Sequence, residues 1–163
     1  IAVGSNGGWV FVPAAAGMRA FIADRGGEAI HDGASWVTGA LTLGASGSGL
    51  VAGLAEGEVV VASGTSVTST VLIPAGAMVI GAAARVTEDI TGSATGWRLG
   101  TAGALVRFGQ GLGKPRGSWS RGILGSPMTY YQPAPLVVTA EGGTFAGGRI
   151  RLAVHWLELR LPV

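Results

Sequence analysis

Cysteine is absent from all 163 residues, which removes disulfides, thiolate metal sites and cysteine nucleophiles in one step. The redox compartment stays open, because a chain of this length buries about 70% of its unfolded surface and needs no covalent staples. Charged residues are also scarce, at 12% of the chain against a usual share of about 25%. Lysine occurs once, at Lys114, and arginine carries the remaining positive charge for a net of only +2. Only Lys114, Arg116 and Arg121 approach the clustering of cations that a nucleic-acid surface shows, so no nucleic-acid partner is expected. No run of about 20 apolar residues is present to span a bilayer, so no membrane insertion is expected. The opening "IAVGSNGGW" lacks the charged region and long apolar run of a signal peptide. It also lacks an initiating Met, and the chain reads as a piece of something longer.

Helix signals are equally poor. Thirty glycines punctuate the chain, and each one inside a helix costs about 1 kcal/mol relative to alanine. Short β-branched runs broken by Gly and Pro recur instead, so the chain is expected to be all-β. With so few charges, its surface must be built from Gly, Ser, Thr and Ala, which suits a rigid assembly protein better than a diffusing enzyme.

Three segments follow from the pattern. Residues 1–37 are expected to form a small β-meander, with strands at Trp9–Val12 and Met18–Ile22 and turns at Asp24–Gly27 and Asp32–Gly33. Residues 38–57 carry glycine every few positions without a sustained period, as a Gly-rich linker or additional strands would. Residues 58–163 hold eight or so short strands, from Val59–Ala62 to Arg149–Leu161, and predict a β-sandwich of jelly-roll type or a barrel. In the last strand Ile150, Leu152, Val154 and Trp156 alternate with Arg149, Arg151 and His155. That alternation puts the two sets on opposite faces of the strand, with His155 expected to be packed or at an interface.

The residues for catalysis are missing. The stretch "FGQGLGKPRGSWSRG", Phe108–Gly122, tempts one to see a phosphate loop, which needs G-x-x-x-x-G-K-[ST]. Phe108 stands where the first Gly belongs and Pro115 replaces the hydroxyl residue, removing a backbone donor as well. His31 is expected as a solvated turn residue and His155 falls on the final strand, with no metal-ligand spacing between them. Ser46 and Ser48 fit no G-x-S-x-G elbow. Glu88 and Asp89 are adjacent, so on a strand they point to opposite faces, and Glu141 lies in a turn. No catalytic residue, metal or cofactor is expected, and the chain is expected not to be an enzyme.

What recurs is aromatic beside a basic residue: Trp97-Arg98, Arg107-Phe108, Trp119 with Arg121, and His155-Trp156. Sugars stack their apolar faces on aromatic rings, and arginine holds the carboxylates of acidic sugars bidentately. Trp97 and Trp156 are expected in the core, since large aromatics dominate sandwich cores. Trp119, at the tip of the long glycine-rich loop expected over Phe108–Gly122, and Tyr130-Tyr131, between Pro127 and Pro133, face a ligand, anchor loops or contact subunits. The glycan-binding residues expected on this basis are Trp119, Arg116, Arg121, Tyr130, Tyr131 and Arg107.

"GGWVFVPAAAGMRAFIADRGGEAIHDGASW" resembles the W-x-F-x-x-P-x-x-G-M-x-x-W/F module of the DUF2793 family of phage-like proteins. "VLIPAGAMVIGAAARVTEDITGSATGWRLG", "RFGQGLG", "GSW" and "TAEGGTFAGGRIRLAVHW" resemble that family's C-terminal part. The resemblance extends to fibres and spikes of tailed phages and gene transfer agents, most closely the head-spike kind. It implies a homotrimer on the surface of a phage or gene transfer agent particle, made in the bacterial cytoplasm and extracellular after release. It further implies attachment to host capsular polysaccharide. The family usually carries an N-terminal segment rich in Gln, Glu and Asn, missing here, that would join other spike or capsid proteins. The resemblance identifies no sugar contacts residue by residue.

Overall fold

The computed structural model describes Ile1–Pro162. Among the described residues the chain forms fourteen strands and no helix, as the glycine content dictates. It divides into two compact units: Ile1–Ala52 together with the residues from Leu159 onward, and Gly53–Glu158.

The first unit opens with a two-stranded hairpin of β1 (Ala2–Ser5) and β2 (Gly8–Phe11). Asn6 and Gly7 turn it, both at positive φ (47° and 79°), which the tight hairpin turn requires. Neither of its faces is buried within the unit, and Trp9 and Phe11 are 70% and 77% exposed.

A three-stranded antiparallel meander follows, of β3 (Arg19–Ile22), β4 (Gly27–His31) and β5 (Trp36–Thr38); the expected strand at Trp9–Val12 is not part of it but pairs with β1. His31 is not the solvated turn residue expected of it. It closes β4 opposite Trp36 in register, and the two rings pack edge to face at 5.1 Å, which buries the imidazole. Asp32 organises the next turn by accepting hydrogen bonds from the backbone N–H groups of Ser35 (2.7 Å) and Ala34 (2.8 Å). Its carboxylate also meets Arg160 at 2.8 Å. Those amides, then the guanidinium, hold its pKa far below the usual carboxylate range.

Residues 38–57 are additional strands rather than a linker. β6 (Ala40–Leu43) pairs with the start of β7 (Gly49–Val60). Gly49, Gly53 and Gly57 recur every four residues, on one side of a strand. A side chain would meet the Thr42 carbonyl at the first, the Trp156 indole at the second and Val71 at the third. The glycines permit close packing, not flexibility. The boundary expected at residue 58 therefore moves to Gly53, and the unit gives up Leu159 and the residues beyond it.

The second unit adds β8 (Ser66–Ile73), β9 (Met78–Thr91), β10 (Gly96–Thr101), β11 (Ala104–Leu112), β12 (Trp119–Thr129), β13 (Ala134–Glu141) and β14 (Gly147–Arg160). One sheet runs β11-β10-β13-β8; the other runs β12-β9-β14-β7, with consecutive strands repeatedly crossing between them. One buried cluster takes residues from both, including Val71, Ile73, Trp97, Leu99, Leu136 and Val138 from the first and Val79, Val86, Ile150, Leu152 and Val154 from the second. The alternation along β14 holds: Ile150, Leu152 and Val154 are buried while Arg151 and His155 are exposed, so His155 is not packed within the chain as one of its two expected places required. Trp97 is fully buried and Trp156 packs half-buried against the same cluster.

Candidate functional site

The Phe108–Gly122 stretch is not one long loop. Phe108–Leu112 completes β11, Trp119 begins β12, and only residues 113–118 connect them. Phe108 is buried in the core, so it is a structural residue where a phosphate loop would need glycine. The connecting residues are strapped down on every side. Lys114 Nζ donates to the Ala94 carbonyl (2.6 Å), Trp97 Nε1 donates to the Gly113 carbonyl (2.8 Å), and the Arg116 N–H donates to Asp89 Oδ1 (2.6 Å). Trp119 therefore stands at the start of a strand and not at a loop tip.

That strand lies at the edge of its sheet, and its register with β9 and β14 builds the site. Trp119 lies opposite Arg85, which lies opposite Arg151. Two residues on, the outward row is Arg121, Ala83 and Ala153; two further, it is Ile123, Gly81 and His155. Ala and Gly in the middle strands keep the floor low, while Trp119 and Arg121 rise on one side. Trp119 is 62% exposed, and the Arg121 guanidinium carbon sits 5.8 Å from its ring centroid. Such a cation over an exposed indole contributes about 0.5–1 kcal/mol and holds the ring in place.

The resulting depression encloses about 330 Å³, lined by Trp119, Arg121, Arg85, Arg151, Ala83 and Glu56 among others. A neighbouring one of about 500 Å³ adds Arg116, Arg149, Glu58 and Glu88. Electrostatics differ sharply between these arginines. Arg149 is paired with Glu58 (3.2 Å) and Glu88 (2.9 Å), which raises its pKa and leaves it little spare charge. The same Arg149 hydrogen bond lowers the pKa of Glu58, which Arg151 also approaches at 3.4 Å. Arg85 and Arg121 have no ion-pair partner among the described residues.

Of the six residues expected to bind sugar, Trp119 and Arg121 line one depression and Arg116 lines its neighbour. Arg107, Tyr130 and Tyr131 line neither. Arg107 turns its guanidinium to the Met128 sulfur. Tyr130 packs half-buried against the core with its hydroxyl 3.5 Å from that of Thr101, while Tyr131 is fully outward. Sequence reasoning missed Arg85, Arg151 and Glu56. Their outward alternation was readable, but their meeting Trp119 depends on pairings between strands far apart in sequence.

The carboxylates serve the scaffold. Glu88 pairs with Arg149, Asp89 accepts from the Arg116 amide, and Glu141 accepts the Gly111 N–H at 3.0 Å.

No family model and no curated protein matches the chain. Among solved structures it is similar to a chain of the cyanophage Pam1 capsid asymmetric unit, at 21% identity over 68% of this chain and 85% of that one, with a TM-score of 0.48. It is also similar to a chain of the acidic stable capsid structure of Helicobacter pylori bacteriophage KHP30, at 15% identity over 71% and 94%, with a TM-score of 0.44. These values do not establish a common fold.

Proposed function

We propose that the chain is a surface spike or fibre domain of a phage or gene transfer agent particle, and that its second unit binds host surface polysaccharide without catalysis. One observation carries the binding role: an exposed indole and an arginine with no ion-pair partner among the described residues, held side by side over a low floor on paired strands. Exposed aromatic faces on a rigid support suit sugar rings, and no buried charge must be uncovered to use them. The motifs that resemble the DUF2793 family support the particle assignment.

The second unit is, in this reading, a jelly-roll sandwich. Counting β7 as first and β14 as eighth, its sheets read 1-8-3-6 and 2-7-4-5, a strand order of two Greek keys. Viral capsid and lectin domains both use that architecture, so it accommodates the function without deciding it. A homotrimer would repeat the site threefold and raise avidity through effective concentration.

The test is retention of the purified chain by encapsulated cells and by acapsular cells of the same strain. Retention by the first alone, weakened by Trp119→Ala, is expected; equal retention by both rejects the binding role. Light scattering gives the oligomer mass, and a monomer rejects the trimer. Shortening of purified capsule on incubation would make the chain a depolymerase instead.

A second reading, a purely structural assembly role, is favoured by the first hairpin. Trp9 and Phe11 are large, exposed and on a ribbon with no covered face, as a segment that packs on another particle protein would be. On that reading Trp9→Ser with Phe11→Ser abolishes incorporation into particles and Trp119→Ala changes nothing.

A further inference from the structure

Arg85 and Arg151 face each other directly across β9 and β14. Like charges opposite one another on an antiparallel pair destabilise it. The chain leaves this repulsion largely standing: Arg151 shares Glu58 with Arg149, and Arg85 has no ion-pair partner among the described residues. Both arginines line the same depression as Trp119 and Arg121. A bound carboxylate would relieve the repulsion and accept charge-assisted hydrogen bonds from either fork.

We propose that this depression takes a carboxylate-bearing polysaccharide, with Arg85 and Arg151 reading the carboxylate and Trp119 the neighbouring sugar face. The inference rests on the glycan-binding reading and adds the chemical class of the glycan and the residues that select it. The row Trp119, Arg85, Arg151 crosses three strands, a span of about 10 Å at the usual interstrand spacing. A ring stacked on the indole therefore places the next ring's substituents over the arginines. The floor of Ala83 and Ala153, one outward position along the strands, leaves room for the rings to lie flat.

The carboxylates in the same face decide against nucleic acid. Glu56, Glu58 and Glu88 interleave with the arginines. They repel a continuous phosphate backbone but accept hydrogen bonds from sugar hydroxyls. An acidic polysaccharide, with isolated charges between hydroxyl-rich neutral surfaces, matches that alternation. A single-stranded nucleic acid, which wants an unbroken basic groove, does not.

The experiment uses three probes on the full chain: polygalacturonate, the same polymer after carboxyl reduction, and a single-stranded DNA oligomer. Polygalacturonate is expected to bind at least tenfold more tightly than either of the others, and to weaken with added salt. Arg85→Gln is expected to lower the affinity for polygalacturonate about tenfold and to leave that for the reduced polymer unchanged. Trp119→Ala lowers both. Because Arg85 is exposed and opposed by a like charge, Arg85→Gln should keep or raise the thermal midpoint, which separates lost binding from lost folding. Equal affinity for native and reduced polymer, an unaffected Arg85→Gln variant, or DNA bound as tightly as polygalacturonate each overturns the inference. Retention on encapsulated cells without binding to polygalacturonate overturns it too and leaves the glycan-binding reading standing. Failure on cells and polymers alike removes both.

Discussion

The indole Nε1 of Trp97 donates a 2.8 Å hydrogen bond to the carbonyl oxygen of Gly113, so a fully buried side chain of β10 holds the first residue of the connection into β12. Core and site scaffold are thereby joined through one donor. Trp97→Phe removes that donor, leaves the carbonyl short of a partner and opens a gap in the cluster. A loss of about 2–4 kcal/mol is expected in urea unfolding. A loss below about 1 kcal/mol would mean that the connection does not depend on it.

Gly122 and Gly125 lie three residues apart on β12 and should respond in opposite ways. A side chain at Gly122 would run into the backbone carbonyl of Phe108, whereas nothing lies within 4 Å of one at Gly125. Gly122→Ala should destabilise by about 1–3 kcal/mol through forced backbone movement. Gly125→Ala should be neutral or stabilise by up to about 1 kcal/mol by restricting the unfolded chain. Thermal scans of the two variants side by side make the comparison.

Lys114 is a structural donor and not a phosphate ligand. Its ammonium reaches the Ala94 carbonyl at 2.6 Å, and Lys114→Met should cost about 1.5–3 kcal/mol, the range for a hydrogen bond to a charged group. Magnesium ATP should leave the thermal midpoint of the native chain unchanged, since a ligand raises it only by binding the folded state. A rise with ATP that Lys114→Met abolishes would return the stretch to nucleotide chemistry.

Acid should destabilise the chain progressively. Asp32 and Glu58 both have folded pKa values below their unfolded ones, so across that window the unfolded state binds more protons and stability rises with pH. Their contribution is complete above the ordinary carboxylate range and is lost as pH falls through the lowered values. Asp32→Asn should flatten the acid limb of a plot of thermal midpoint against pH. An unchanged limb would show that the turn at Asp32 and the Arg160 pair do not stabilise the fold.

Local pattern made much of the fold legible. β14 is readable from Ile150, Leu152 and Val154 alternating with Arg151 and His155, because side chains on a strand alternate faces whatever the strand pairs with. The turn at Asn6-Gly7 is equally readable from its dipeptide, although the flanking Ala2–Ser5 strand is too short and weakly apolar to announce itself. Glycine was harder. At Gly49, Gly53 and Gly57 the same residue that loosens a linker instead admits the Thr42 carbonyl, an indole and a valine, and composition does not distinguish these uses. His31 was misplaced for a related reason, since its burial depends on standing opposite Trp36.

Sequence alone determined the all-β class, the absence of cysteine chemistry and the failure of the phosphate loop at Phe108 and Pro115. These follow from residue type and short-range spacing, which fix backbone preference and available donors before any packing occurs. Tertiary structure alone decided that Trp119 starts an edge strand, that Arg85 and Arg151 oppose each other beside it, and that Tyr130, Tyr131 and Arg107 stand apart from that depression. A site of this kind is written in cross-strand register. Register joins residues more than 30 positions apart, and only the shared core of the two sheets selects it.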